Sequence, residues 1–215
     1  MSPLGIFGGT FDPIHFGHLR TAFELLQALR LAELRLVPAG RPPHRGVPLC
    51  DAEHRLAMVR AAIAGQPGFA VDDREIRREG PSYTVTTLRE LRAEAPQRPV
   101  CLLVGMDAFL GLPQWHEWRE VLELAHVVVA HRPGWTAPRD GTLGELLAAR
   151  ATSRVGDLHE SLAGRIHVRP VTQLEISSTD LRELIVAGAD PRYLLPDAVR
   201  AIIHDTGCYR PTATR

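Results

Sequence analysis

"GIFGGTFDPIHFGHLR", residues 5–20, is the stretch on which the reading of this chain turns. It crowds four glycines, one proline and two histidines into the junction between an apolar run and an amphipathic one. Gly8 and Gly9 stand where a first strand ends, and from about Phe16 the spacing of Leu19, Ala22, Phe23, Leu26 and Leu29 is helical. Glycine at such a turn lets the backbone approach a ligand and adopt φ > 0. The helix N-terminus adds unpaired N–H groups and about half a positive charge. Phosphate is the guest that suits it. The glycines fall at 5, 8, 9 and 17, which is not GxGxxG, so a redox dinucleotide is disfavoured.

Working outward, apolar runs recur at "LGIFGG" (4–9), "LRLVPA" (34–39), "FAVDDREI" (69–76), "PVCLLVG" (99–105), "HVVVAHRP" (126–133) and "RIHVRPV" (165–171). Continuous Val, Ile and Leu runs of this length predict strands buried on both faces. Between them, Leu56, Val59, Ala62 and Ile63, then Val85, Leu88 and Leu91, keep helical spacing. Strand alternating with helix predicts an α/β fold: a Rossmann-like doubly wound parallel sheet in three layers, α/β/α, with ligands at the carboxyl ends of strands. One domain over 1–215 is expected. Residues 134–164 break the rhythm and read as an insertion or flap, and a C-terminal helical part begins at about 177. There, "ISSTDLRELIVAGADP" reads as a strand end, a Ser/Thr cap, a helix and a glycine stop. "PDAVRAIIHDTGCY" reads as a last helix closed by Gly207.

Acidic and basic residues balance at 25 each, so no global field attracts nucleic acid or an anionic membrane, and neither is expected as a partner. All 25 basic residues are arginine. That excludes a Walker A loop, a Schiff-base enzyme and a KMSKS-type synthetase loop, each of which needs lysine. Cys50, Cys101 and Cys208 are odd in number, far apart and free of CxxC spacing, which argues against a disulfide framework or a zinc ribbon and fits a reducing compartment. Met1 to Pro3 leads straight into strand-like sequence without a targeting pattern, so a cytoplasmic location is expected; a homo-oligomer is compatible with the sequence.

His15 and His18 are three apart at the start of the first helix, a spacing that lets both rings project into one pocket. Three readings compete. The pair can be ordinary helix-start residues. A metal site needs further ligands at close spacing, and HxxH alone supplies none, so no resident metal is assigned. Two imidazoles aimed at a polyphosphate, donating N–H bonds where charge grows during phosphoryl transfer, alone account for the glycines, Thr10 and the strand-to-helix position together.

HxGH after an N-terminal strand resembles the nucleotidyltransferase superfamily. "ISSTDLR" (176–182) resembles the ISSTxxR motif that accompanies HxGH in adenylyltransferases. From the residues alone, Ser177, Ser178 and Thr179 bring hydroxyls to a helix N-terminus, and Arg182 stands one turn on with a fork for phosphate oxygens. Further blocks, "GGTFDPIHFGHL" (8–19), "PAGRPPHR" (38–45), "REGPSYTVTTL" (78–88), "LVGMDAFLGLPQWHEW" (103–118) and "HRPG" (131–134), come in the order of the bacterial nicotinate mononucleotide adenylyltransferases. The resemblance spans nearly the whole chain, with 134–164 its least recognisable part.

That resemblance implies a reaction: ATP and nicotinate mononucleotide give deamido-NAD and pyrophosphate, with Mg2+. It implies that His15, His18 and Arg182 act on the transferring phosphates. Gly8, Gly9, Thr10, Phe11, His18, Gly105, Asp107, Ile176, Ser177, Ser178 and Arg182 would bind ATP. For nicotinate mononucleotide it implies His44, Arg45, Tyr83, Thr84, Asp107, Trp115, His116 and Arg132, with Trp115 as a stacking face and backbone N–H groups near Thr84 and His116 meeting the carboxylate. Tyr83 reads equally as core or pocket, Arg132 nearly equally as ligand or surface, and Trp118 and Trp135 as packing. Three rivals stay open: an enzyme preferring the amide nicotinamide mononucleotide or another phosphate acceptor, a nucleotide-binding module without turnover, and a His-metal hydrolase.

Overall fold

The computed structural model describes residues 2–43, 46–131 and 138–210. Each strand-like run becomes a strand: β1 (Leu4–Gly9), β2 (Glu33–Pro38), β3 (Phe69–Val71), β4 (Val100–Gly105), β5 (His126–His131) and β6 (Ile166–Pro170). All neighbours pair in parallel, in the order β3-β2-β1-β4-β5-β6. That is the doubly wound order, with its switch point between β1 and β4. Alternate residues of one strand serve opposite faces. In β4, Cys101 and Leu103 join the core that includes Leu25, Leu36 and Val128, while Val100, Leu102 and Val104 join the one that includes Val85, Leu88 and Val121.

Helices fill both faces: α1 (Phe16–Ala28), α2 (Ala52–Ala62), α3 (Arg74–Arg77), α4 (Thr84–Glu94), α5 (Met106–Leu110), α6 (Trp118–Leu124), α7 (Gly141–Arg150), α8 (Asp157–Glu160), α9 (Ser178–Val186) and α10 (Asp197–Thr206). Among the described residues none is long and apolar enough to cross a membrane. α7 buries Leu143 and Leu147 in the same core as β5. The Ser177 hydroxyl caps α9 by accepting from the Asp180 amide at 3.1 Å, and Gly207, at φ 70°, closes α10 in the left-handed conformation that side chains resist.

Two expectations need correction. "FAVDDREI" is not one strand: β3 stops at Val71, and the Asp72 carboxylate accepts from the Arg74 amide at 3.2 Å and its Nε at 2.8 Å, turning the chain into α3. Cysteine spacing also misled, because α10 packs against α2 and brings Cys208 to Cys50. The two are joined as a disulfide, Cα atoms 5.6 Å apart across a sequence separation of 158. Sequence distance says nothing about distance after such a return crossing. Cys101 alone is free, and buried.

Candidate active site

The carboxyl ends of β1 and β4 flank the switch point and form the floor of a cavity of about 750 Å3. At Gly8 and Gly105 an added Cβ would meet nothing within 4 Å, so both strands end in open room at this floor. Gly9 is small for another reason: its Cβ would come within 2.9 Å of the Phe11 ring. None of Gly8, Gly9 or Gly17 has positive φ; the left-handed residue of this turn is Phe11, at φ 50°, against the expectation that glycine supplies it. Phe11 is 2% exposed and its ring stands edge-on to His18 at 5.2 Å. It therefore supports the histidine from below.

α1 opens at the cavity with no capping side chain and no acidic residue in its first turn; the Phe16 amide donates to the Leu194 carbonyl at 3.1 Å, and the first turn keeps its positive end. His15 is the residue before that helix, and its ring lies 3.8 Å from that of His18. The pair lines a neighbouring recess with Ser177, Ser178, Thr179 and Arg182, while His18 and Arg182 also face the main cavity. Burial lowers the His15 pKa from 6.5 to about 4, so this imidazole is neutral at physiological pH; its Nδ1 is buried without a hydrogen-bond partner. A neutral ring still donates one N–H. Thr10 and Asp107 line the cavity, and Ile176 lines the recess.

Across the same floor lies a second cavity of about 340 Å3, sharing Gly8, Gly9, Thr10 and Gly105 with the first. Tyr83, Thr84, Trp115 and His116 line it. Tyr83 stacks on His116 with centroids 4.2 Å apart and also packs against the core, so it serves both as pocket wall and as core. Trp115 presents one side here and packs the other against the core. Trp118 packs as expected, with the Arg119 guanidinium 4.5 Å above its ring. Asp107, expected on both sides, lines only the larger cavity. His44, Arg45, Arg132 and Trp135 lie outside the described residues.

The distant sequence blocks meet through hydrogen bonds as well as through the cavity. Ser178 Oγ donates to the Pro13 carbonyl at 3.0 Å, and Arg182 Nη1 to the Asp12 carbonyl at 2.8 Å, clasping "ISSTDLR" onto the turn after β1. On the other side Ser82 Oγ accepts from the Gly40 and Arg41 amides at 3.0 and 3.1 Å. This joins "PSYT" to "PAGRPP". Gly40 has no alternative there, since a Cβ would lie 2.2 Å from the Glu75 carbonyl oxygen.

Known proteins resemble this chain in sequence and in fold. Residues 6–184 fit the family model described as cytidylyltransferase-like. A protein of Aeromonas hydrophila subsp. hydrophila called "probable nicotinate-nucleotide adenylyltransferase" is 54% identical over 209 residues, 97% of this chain and 98% of its own. One of the same name from Pseudomonas syringae pv. tomato is 49% identical, covering 98% and 95%. The chain belongs to the nicotinate-nucleotide adenylyltransferase family. A Plasmodium falciparum nicotinic acid mononucleotide adenylyltransferase complexed with NaAD has the same fold, with TM-score 0.73 at 15% identity over 97% of this chain and 98% of that one.

Family motifs did not reveal three residues that hold this site in shape. Arg55, 1% exposed, donates to the carbonyls of Thr10 at 2.6 Å, Cys50 at 3.1 Å and Gly40 at 3.4 Å, tying the loops after β1 and β2 together. The Asp12 carboxylate accepts from the Leu49 amide at 3.0 Å, the Cys50 amide at 3.2 Å and the Tyr209 hydroxyl at 2.8 Å. Burial and the neighbouring Asp12 charge push the Tyr209 phenol far up, so it stays a donor. A cation among Leu56 and Val59 on the apolar face of α2 was the available signal for Arg55. Tyr209 had none.

Proposed function

We propose that this chain transfers the adenylyl group of ATP to nicotinate mononucleotide, releasing pyrophosphate and forming nicotinate adenine dinucleotide. The observation that carries this reading is the pair of cavities joined over Gly8, Gly9, Thr10 and Gly105, with His18 and Arg182 on one side and Tyr83 and Trp115 on the other. ATP occupies the larger side, its phosphates against the start of α1 and the recess of Ser177, Ser178 and Arg182. The mononucleotide occupies the smaller side, its pyridine ring on Trp115 and its carboxylate at the backbone near Thr84 and His116.

The acceptor's phosphate is already an anionic nucleophile, so no side chain has to remove a proton. One of its oxygens attacks the α-phosphorus, the bond to the β-phosphate oxygen breaks, and pyrophosphate leaves with the electron pair. His18 donates an N–H where charge gathers, His15 backs it as a neutral donor, and Arg182 meets the departing oxygens. The family works with a divalent cation alongside ATP. Mg2+ would come with the ATP phosphates to the start of α1 and the recess of Ser177, Ser178 and Arg182, where it would neutralise phosphate charge. Among the described residues the only cluster of metal-ligating type lies elsewhere, at Cys50, His54 and Cys208. A chain that consumes ATP in this way is placed in the cytoplasm.

The test measures pyrophosphate release from Mg-ATP with nicotinate mononucleotide, nicotinamide mononucleotide, phosphopantetheine and FMN offered in turn. Release is expected with the first, at a kcat/KM well above the second. Silence with the first sinks the proposal, and a preference for the amide transfers it to that substrate. Phosphate release from ATP without any acceptor supports the hydrolase instead.

A further inference from the structure

Beside the turn after β1, behind Asp12, two cysteines and a histidine distant in sequence converge. Cys50 precedes α2, His54 sits in the first turn of α2, and Cys208 follows the glycine that closes α10. One ligand atom of each lies within 4.8 Å of the others. The Asp51 carboxylate stands 2.7 Å from His54 Nδ1, which fixes the ring as second partners of metal-bound histidines do. Cys50 is buried, Cys208 half-buried, and the His54 side chain is 43% exposed, so the cluster is anchored on one side and open to solvent on the other. The Arg55 guanidinium donates to the Cys50 carbonyl at 3.1 Å and anchors the backbone on the buried side of the cluster.

A disulfide needs only the two sulfurs. We propose that the reduced Cys50–Cys208 pair, together with His54, is a binding site for a zinc-class divalent cation, with two thiolates and one imidazole as ligands and a fourth position left to solvent. Thiolate and imidazole together select a borderline-soft metal over Mg2+ or Ca2+. The chemistry balances with a dithiol as reductant. It supplies two electrons and two protons to the disulfide, leaving two thiols and its own disulfide; the cation then binds both sulfurs and releases those two protons. Cys101 does not compete, because burial pushes its thiol up to about 12.

Either state, bonded or metal-bound, secures the same joint. The Cys50 amide and the hydroxyl of Tyr209, next to Cys208, both donate to the Asp12 carboxylate. A cation here therefore replaces one staple on the active-site turn with another. The site is independent of the adenylyl-transfer reading, and its test does not use activity.

The whole protein is reduced with a phosphine, stripped of metal and titrated anaerobically with Co2+. One equivalent is expected to bind with a thiolate-to-cobalt charge-transfer band and the intense visible absorption of a four-coordinate ion, both displaced by Zn2+. Cys50→Ser and Cys208→Ser should each lose most of the charge-transfer band, and His54→Ala should keep it while weakening Co2+ binding by about tenfold or more. Far-ultraviolet circular dichroism of each variant checks that the fold survives. Absence of the band in the reduced wild type, its persistence in a folded Cys208→Ser variant, or a pair that stays oxidised in excess phosphine overturns the proposal. Unchanged affinity in His54→Ala overturns the assignment of the imidazole.

Discussion

The two sides of the cavity are built in opposite ways. On the phosphate side, segments some 165 residues apart interlock through the bonds from Ser178 to Pro13 and from Arg182 to Asp12, and the turn they clasp is held again by Arg55 and Tyr209. On the acceptor side the spans are shorter: Ser82 accepts from the Gly40 and Arg41 amides, Trp115 and His116 come from one short loop, and half-buried Tyr83 stacks on exposed His116. Charge that appears only in the transition state must be met by donors already in place, so rigidity belongs on the phosphate side. Selecting a flat ring and a carboxylate needs a surface and a few N–H groups, and tolerates looser construction.

The largest effect should follow from breaking the clasp. Arg55→Met removes the donor to the carbonyls of Thr10, Cys50 and Gly40 and leaves that of Cys50 buried and the other two part-buried, so it should destabilise the protein by about 3 kcal/mol. Urea unfolding measures this. A change below about 1 kcal/mol means the loops hold themselves and the comparison fails. Next comes His18→Ala, which should lower kcat by roughly 10²-fold with a smaller effect on the KM for ATP and an unaltered melting temperature. A drop of only a few-fold returns His18 to an ordinary helix-start residue.

The third effect is on pH dependence. An unfolded imidazole at its ordinary 6.5 takes up a proton that folded His15 refuses until about 4. The unfolded state therefore binds more protons between those values. Stability contributed by neutral His15 is complete above about 6.5 and is lost as pH falls through that window, at up to about 1.4 kcal/mol per pH unit. His126 and His167 are also lowered, mainly by burial, and act in the same direction. The measurement is therefore the difference between wild type and His15→Asn in urea unfolding from pH 7.5 to 5. A variant that loses stability as steeply as wild type removes His15 from this role.

How much of this was legible in the sequence follows the same division. The strands were open to reading, because continuous apolar runs are local signals, and the resemblance of "GGTFDPIHFGH" and "ISSTDLR" to paired family motifs implied that the two meet. The bonds within the clasp were not. The sequence offers Ser178 and Arg182 as a helix-start hydroxyl and a fork for phosphate oxygens, and folding adds that each also donates to a backbone carbonyl of the turn after β1. Nothing near Tyr209 announces that its hydroxyl meets Asp12 across 197 residues, and the Cys50–Cys208 pairing was hidden in the same way. Long-range polar contacts leave no periodicity, so only folding reveals them.

The acceptor side offers the smaller and sharper tests. Trp115→Leu keeps apolar bulk against the core but removes the stacking face, and should raise the KM for nicotinate mononucleotide by about tenfold with little change in kcat, since a base on an aromatic face is worth about 1–3 kcal/mol. His116→Ala should do less, under about threefold. Its ring is exposed, stacks among the described residues only on Tyr83, and lies 3.7 Å from the neighbouring Glu117 carboxylate, contacts that a solvated surface pair provides with little net energy. The backbone recognition proposed at this position would survive loss of the ring, because alanine keeps the amide N–H. A His116→Ala variant whose KM rises as far as that of Trp115→Leu would show the imidazole itself reading the mononucleotide. The acceptor side would then depend on placed side chains as the phosphate side does, and the contrast between the two would disappear.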